Sequence, residues 1–264
     1  MPEQPASFEI IPGDDASSVV LHVPHSSTHL PDDVRRGLRL NDSALAAELH
    51  AITDADTDVV ADGAAMRAAV RPWIFVNRAS RLVVDPERFP DDREEMNSVG
   101  MGAVYEKTTQ LETLRTPTEE ERRQLIERFY VPYSQAFAAL VRRRLAAVGR
   151  VTIVDVHSFP VDALPYELHG DGARPEVCIG TDEFHTSAEL SSAAVEAMRA
   201  AAPTGDVGLD SPFNGCYVPL EQHGKNPRVQ AVMLEMRRDV VRDDAGGLSL
   251  AMATLVDVID ATLP

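Results

Sequence analysis

Two histidines stand at the carboxyl ends of apolar, β-branched segments. His25 follows segment 19–23 in the motif Pro24-His25-Ser26, and His157 follows segment 151–156. In an open α/β sheet, the carboxyl ends of the strands are where ligands bind. Each histidine alone is better explained as a structural residue bonded to a loop carbonyl. Their matched placement, however, favours a shared metal ion.

A catalytic zinc site needs a further protein ligand and one open position. Segment 53–58 offers three aspartates, of which Asp54 and Asp58 would share one face if the segment were helical. Two like charges so close together are unfavourable unless a cation lies beside them. The alternative is a solvated acidic helix start, where carboxylates complement the helix dipole. Both interpretations stay open at this point.

Glu235 lies within an apolar stretch, between Leu234 and Met236. Burial of a carboxylate is costly without a partner, and it raises the pKa toward the range that a general base requires. The sequence therefore favours two interpretations about equally. Glu235 is either a general base or one half of a buried ion pair with Arg237, Arg238 or Arg78.

Arginines that could bind an anionic substrate cluster at Arg78, Arg81 and Arg88. A guanidinium binds a carboxylate through two parallel hydrogen bonds. The alternative is salt bridging with the nearby acids, which are Asp85, Glu87, Asp91 and Asp92. The turn signal Asn214-Gly215 could also offer an amide and backbone N–H groups to a substrate.

Other catalytic schemes have weak support. No Gly-x-Ser-x-Gly motif occurs, which argues against a serine hydrolase. The remaining histidines lack a matched partner and are expected to be structural or exposed: His22, His29, His50, His169, His185 and His223.

The elements that must position these side chains alternate between strand and helix, which predicts an α/β sheet with parallel segments covered on both faces. The predicted strands are 19–23, 73–76, 82–84, 151–156 and 177–180, whereas 229–236 fits strand or helix. The predicted helices are 43–66, 118–148, 187–202 and 248–263; the second begins with a Thr118/Glu121 capping box and bends at Pro132. The polar segment 89–116 is predicted to be a lid loop.

Composition restricts the function classes. The 264 residues carry a formal charge of −17, which argues against binding to nucleic acid or to anionic lipid. No apolar run is long enough to span a membrane, and the N-terminus does not resemble a signal peptide. Two cysteines cannot form a disulfide framework. We therefore expect one cytoplasmic domain, residues 1–264, and the sequence leaves its oligomeric state open.

Together these motifs resemble the N-formylglutamate amidohydrolase family from about residue 18 to residue 240. The resemblance rests on Pro24-His25-Ser26, Thr53-Asp54, the run from Ser80 to Phe89, Gly100-Met101-Gly102, Asp155-Val156-His157-Ser158, Pro212-Phe213-Asn214-Gly215 and Leu234-Glu235. The chain departs from the family pattern at Pro132-Tyr133-Ser134 and at Pro86-Glu87-Arg88. These departures bear on the choice of substrate rather than on metal binding.

The resemblance implies a mixed, largely parallel sheet flanked by helices, related to zinc carboxypeptidases. It also implies hydrolysis of N-formyl-L-glutamate, or of a related N-acyl amino acid, to formate and L-glutamate in histidine degradation. By similarity one divalent metal, expected to be Zn²⁺, is held by His25, His157 and a carboxylate, for which we choose Asp54 over Asp58. Glu235 is then the base and Arg81 a further catalytic residue. Candidate substrate-binding residues are Arg78, Arg88, Ser26, Asn214, Gly215 and Arg237. The alternatives are another N-acyl substrate or a catalytically silent anion-binding protein.

Overall fold

The computed structural model describes residues 7–168, 170 and 172–262. Within these residues seven strands form one sheet. The strands are β1 Phe8–Ile11, β2 Val19–Val23, β3 Trp73–Asn77, β4 Val151–Phe159, β5 Val177–Gly180, β6 Val207–Leu209 and β7 Val229–Arg237. Their order in the sheet is β1-β3-β2-β4-β7-β5-β6; the β1·β3 and β5·β7 pairs are antiparallel and the other four pairs are parallel. The predicted mixed, largely parallel sheet is confirmed.

Helices cover both faces of the sheet, as the continuous burial of β2, β3, β4 and β5 requires. The helices are α1 Asp32–Arg36, α2 Asp42–Ile52, α3 Thr57–Ala65, α4 Glu119–Leu125, α5 Val131–Val148, α6 Ala188–Arg199 and α7 Arg238–Thr262. Helices α3, α6 and α7 pack on one face around Leu21 and Val154. Helix α5 packs on the other face through Phe137 and Leu140.

The single helix predicted over 43–66 is wrong. The chain forms α2, turns, and starts again as α3, with Asp56 in the left-handed region at φ 63°. Asn41 caps α2 by accepting a hydrogen bond from the Ala44 N–H. Asp54 therefore lies in a turn, and the argument that it shares a helical face with Asp58 does not hold.

The helix predicted over 118–148 is confirmed at both ends. Thr118 and Glu121 form the predicted capping box, and Gly149 ends α5 at φ 84°. The predicted irregularity near Pro132 takes the form of a π-helical turn, Ile126–Tyr130, between α4 and α5. Since Pro132 has no N–H to donate to the carbonyl four residues earlier, the helix cannot continue there with regular α spacing.

Several other predicted elements have a clear outcome. Segment 82–84 is a buried turn rather than a strand, because Val83 bonds back to the Ser80 carbonyl instead of joining a ladder. The ambiguous segment 229–236 is strand β7, and the short strands β1 and β6 were not predicted. Helix α7 consists of two helices joined across a kink at Asp244 (φ −149°, ψ 59°), and the helix predicted from residue 248 falls within the second of them. Its predicted end at Leu263, like His169, lies outside the described residues.

The predicted lid, 89–116, contains one short 3₁₀ helix, Glu95–Val99, and several buried side chains. Met96, Met101, Tyr105 and Leu114 pack into a common apolar cluster with residues of α2. Glu48 of α2 accepts hydrogen bonds from the backbone N–H and hydroxyl of Thr109 at 2.8 Å. Much of the segment is thus anchored to the core, and closure over a ligand stays a prediction.

In the part of the chain that the structure describes, none of the helices combines the length and the apolar character of a membrane span.

Candidate metal centre and active site

Three neighbouring strands, β2, β4 and β7, bring the candidate catalytic residues together at the carboxyl ends of the strands. His25 comes two residues after β2, and β2 pairs in parallel with β4, which carries His157. Strand β4 pairs in parallel with β7 over nine positions, and in this register His157 stands beside Glu235. The sheet therefore juxtaposes residues that are more than two hundred positions apart in sequence.

His25, His157 and Asp54 form a triangle of buried ligand atoms. The Nδ1 atoms of the two histidines are 3.3 Å apart, and Asp54 Oδ2 lies 3.0 Å from His157 Nδ1 and 3.6 Å from His25 Nδ1. The turn after α2 places Asp54 here, because its backbone N–H donates to the His25 carbonyl at 3.0 Å. The predicted set of three thus converges in the structure.

The triangle has the dimensions of a zinc site. Tetrahedral bonds of about 2.0–2.1 Å hold neighbouring ligand atoms about 3.3–3.4 Å apart, and the three observed separations bracket that value. Two imidazole nitrogens and one carboxylate oxygen are also a common set of protein ligands for catalytic zinc. His25, Asp54 and His157 could therefore hold a divalent ion and leave one position open.

Buried carboxylates flank both imidazoles. His25 Nε2 is hydrogen-bonded to Asp85 Oδ1 at 2.9 Å, whereas His157 Nε2 lies 3.2 Å from Asp155 Oδ1 without forming a hydrogen bond among the described residues. Such partners fix the ring orientation and raise the basicity of a metal-binding imidazole. Asp155 in turn contacts His22 Nδ1 at 2.8 Å, so His22 is a buried structural residue. Sequence analysis missed these roles, although an aspartate inside the apolar segment 151–156 was a usable signal.

The electrostatics of the triangle favour a cation. Burial lowers the pKa of His157, but Glu87 and Asp155 outweigh it and leave that pKa well above its usual range. Burial likewise raises the pKa of Asp54, but hydrogen bonds to His157 and His25 bring it below its usual range. The acids around the histidines thus favour positive charge, and a divalent metal would compete with the proton of His157 for the same atoms.

Glu235 is a buried carboxyl, 8% exposed, on the strand next to His157. Burial raises its pKa to about 8. Within the described residues its Oε2 atom has no hydrogen-bond partner. The alternative ion pairs are not formed: Arg237 pairs with Asp239, Arg78 pairs with Glu9, and Arg238 donates to backbone carbonyls. The geometry therefore favours a general base over a structural ion pair.

A cavity of about 580 Å³ contains the triangle and Glu235, and it separates the predicted substrate residues into two groups. Arg81, Arg88, Asn214 and Gly215 line this cavity, as predicted. The cavity is not lined by the other candidates, which are Arg78, Arg237, Ser26 and the alternative ligand Asp58. Arg78 is held at the surface between Glu9 at 2.7 Å and Asp58 at 3.6 Å, and Arg237 is bonded to Asp239 and the Arg174 carbonyl.

The cationic groups of the cavity differ in how firmly they are held. Arg81 is bonded to Asp85 Oδ2 at 2.7 Å and to the Tyr105 hydroxyl. Arg88 contacts Asp85 only at 3.7 Å, and its buried Nε has no hydrogen-bond partner among the described residues. Arg238 also lines the cavity, and its Nη2 lies 3.8 Å from Asp54 Oδ1. From the sequence, Arg238 was a candidate only as an ion-pair partner of Glu235.

Known proteins match this chain over most of its length. The model of the N-formylglutamate amidohydrolase family matches residues 17–242. An N-formylglutamate deformylase from Pseudomonas aeruginosa is 25% identical over 232 residues, which cover 86% of this chain and 82% of the relative.

Solved structures show the same fold. An N-formylglutamate amidohydrolase from Ralstonia eutropha JMP134 superposes with a TM-score of 0.78 at 20% identity, covering 98% of both chains. A gene product from Agrobacterium tumefaciens gives a TM-score of 0.70 at 22% identity, over 98% of this chain and 94% of the other.

Proposed function

The chain belongs to the N-formylglutamate amidohydrolase family, and on this premise we propose that it is a zinc-dependent enzyme that cleaves N-formyl-L-glutamate to formate and L-glutamate. The observation that carries the proposal is the buried His25–Asp54–His157 triangle beside Glu235. The activity named for the P. aeruginosa relative supports the choice of substrate. The proposal includes a role in histidine degradation and a cytoplasmic location.

His25, Asp54 and His157 would hold the metal, and the hydrogen bond to Asp85 would keep the His25 imidazole turned toward it. When bound, a zinc ion supplies Lewis-acid chemistry, which lowers the pKa of a water and polarises the formyl carbonyl. The protein's own part is to fix the ligand geometry and to keep one position free for water and substrate.

Glu235 would move the proton. Its carboxylate accepts a proton from the attacking water as the new C–O bond forms at the formyl carbon. It then delivers that proton to the amide nitrogen as the C–N bond breaks, which releases formate and the free amine. The raised pKa of Glu235 suits a group that must both accept and donate, and a nearby metal cation would lower that pKa toward neutrality.

Arg88 and Arg238 are the best-placed groups to bind the carboxylates of the substrate. Both line the cavity, and each has a buried Nε without a hydrogen-bond partner in the described part of the chain. A protein of net charge −17 repels an anionic substrate at long range, so it needs such a local cationic pocket. Arg81 is held by Asp85 and Tyr105, and we assign to it the stabilisation of developing negative charge on the carbonyl oxygen.

The decisive experiment pairs elemental analysis of the purified protein with a deformylation assay on N-formyl-L-glutamate. We expect near-stoichiometric zinc, loss of activity on chelation and recovery on adding zinc back. Arg88→Gln should raise KM, whereas Arg78→Gln, a matched change outside the cavity, should leave KM unchanged. Zinc-free protein that leaves the substrate intact would point instead to a silent anion-binding protein.

A second candidate is hydrolysis of a larger N-acyl amino acid. The cavity volume of about 580 Å³ lies within the range of roughly 300–1,000 Å³ typical of pockets for drug-sized ligands, and Phe89, Tyr166 and Phe213 line it. Comparing kcat/KM for formyl, acetyl and larger acyl derivatives of glutamate decides between the two. A maximum at the formyl derivative supports the first proposal, and a maximum at a larger acyl group supports the second.

A further inference from the structure

A second cavity of about 660 Å³ lies outside the catalytic site and shares none of its lining residues. Its walls come from α1, the chain just after α1, residues 115–117, and one side of α4 and the following π-turn. Apolar wall is supplied by Val34, Pro117 and Leu125. This volume also falls in the range of small-molecule sites.

The acids that line this second cavity already have partners. Asp33 is paired with Arg128. Glu121 accepts hydrogen bonds from the backbone N–H and hydroxyl of Thr118 in the capping box, and Glu127 lies 2.7 Å from Arg123. Asp33 and Glu127 therefore each have a cationic partner, whereas Glu121 is bonded to the neutral groups of Thr118.

Two arginines of the same cavity have no carboxylate within ion-pair distance among the described residues. Arg39 donates to the Thr116 hydroxyl at 2.7 Å, and Arg115 donates to the Leu82 carbonyl. Arg115 is only 5% exposed, and its Nε has no hydrogen-bond partner there. The guanidiniums of Arg39 and Arg115 thus have no counter-ion in the part of the chain that the structure describes.

A buried cation without a counter-ion is unfavourable. Burial, helped by the nearby Arg122, lowers the pKa of Arg115 to about 10, so the side chain stays charged at neutral pH and bears that cost. An anion that entered the cavity would relieve it. A guanidinium binds a carboxylate through two parallel hydrogen bonds, and the apolar wall suits a short hydrocarbon chain.

We propose that this second cavity is a binding site for a small organic carboxylate, held by Arg115 and Arg39. Because Arg115 bonds to the carbonyl of Leu82, the residue after Arg81, the ligand would be linked through one backbone position to the wall of the catalytic cavity. The proposal does not depend on which amide the enzyme hydrolyses.

Calorimetric titration of the zinc-loaded protein with glutarate tests the site. Glutarate carries one carboxylate for each unpaired guanidinium and has no amide to hydrolyse. We expect Arg39→Gln to weaken binding at least tenfold and Arg36→Gln, an exposed arginine on the other side of Gly37, to leave it unchanged. Arg88→Gln, in the catalytic cavity, should leave the second-cavity binding in place.

Arg115→Gln provides an independent readout. Because it removes an uncompensated buried charge, its melting temperature without ligand should be no lower than that of the wild type, while stabilisation by glutarate should be lost. The proposal is overturned if Arg39→Gln and Arg36→Gln bind glutarate equally, or if Arg88→Gln abolishes all binding. It is also overturned if inorganic phosphate binds as tightly as glutarate, because the site would then select phosphate.

Discussion

Replacing Glu235 with glutamine tests whether this buried carboxyl is both protonated in the metal-free protein and responsible for proton transfer. Glutamine keeps the shape and removes the ionisable group. If Glu235 is the base, the variant should bind zinc normally and lose about 10²–10⁴-fold in kcat, the usual contribution of general acid–base catalysis.

The same substitution has a calculable effect on stability. The pKa of Glu235 rises from 4.5 to about 8 on folding, so between these values the native protein holds a proton that the unfolded chain releases. At about 1.36 kcal/mol per pKa unit, the free energy of unfolding falls by an amount on the order of 5 kcal/mol as the pH rises through this window. The Glu235→Gln variant has no ionisable group at this position, so its free energy of unfolding does not show this decrease. The metal-free variant should therefore match the wild type below pH 4.5 and exceed it in stability above pH 8.

Urea denaturation at several pH values, with a chelator present, measures this difference, and steady-state deformylation measures the rate. Glu196→Gln, an exposed position on α6, serves as the control and should change neither quantity. A variant that keeps full activity would assign the base to another residue. A stability difference that does not vary with pH would show that folding leaves the pKa of Glu235 unchanged.

Three further predictions concern the groups that support the site and the fold. Asp85→Asn should lower zinc affinity 10–100-fold, measured by competition with a chromogenic chelator, because it removes the carboxylate that orients His25; unchanged affinity would contradict that role. Gly180→Ala should raise KM more than it lowers kcat, because the new Cβ would lie 2.5 Å from the Gly215 carbonyl oxygen and displace the turn that carries Asn214; wild-type kinetics would refute this. Thr118→Ala should reduce the free energy of unfolding by about 1 kcal/mol in urea, because α4 loses its capping box; an unchanged midpoint would argue that the cap is not needed.

The sequence was most informative where side-chain type and strand ends coincide. His25 and His157 were predicted to meet because each follows a buried β-branched segment, and parallel pairing of β2 with β4 brings them together. Glu235 was singled out as a carboxylate within an apolar run, and β7 places it beside His157. These inferences rest on local pattern and on the general geometry of parallel sheets.

Residues fixed by long-range packing could not be placed in the same way. The segment 82–84 is apolar enough for a strand, yet it forms a turn in which Val83 bonds back to the Ser80 carbonyl, and its side chains fill two clusters beside the sheet. The sequence pattern does not distinguish Arg78 from Arg81 as candidate substrate-binding residues. In the structure, Asp85 holds Arg81 in the cavity, whereas Glu9, on the edge strand β1, holds Arg78 at the surface. The surface position of Arg78 depends on strand β1, which the sequence pattern did not predict.

The break in the helix after α2 is another feature that the sequence did not predict. Thr53 to Asp58 reads as a continuous acidic helix start, and the left-handed backbone at Asp56 is what diverts the chain. An aspartate tolerates that conformation better than most residues, but its presence alone does not predict it. The family resemblance favoured Asp54 over Asp58 as the candidate ligand, and the folded turn supplies the physical reason, because it places Asp54 beside the two histidines.

The nine-position pairing of β4 with β7 makes the spacing between a candidate ligand and the candidate base a property of the peptide backbone. Successive side chains on a strand point to opposite faces, so one residue added to β7 ahead of Glu235 would turn that carboxyl away from the cavity while leaving His157 in place. Substitutions along β7 can be absorbed by repacking, but a change of length cannot. We therefore expect insertions and deletions among functional homologues to avoid these two strands and to accumulate in the connecting loops.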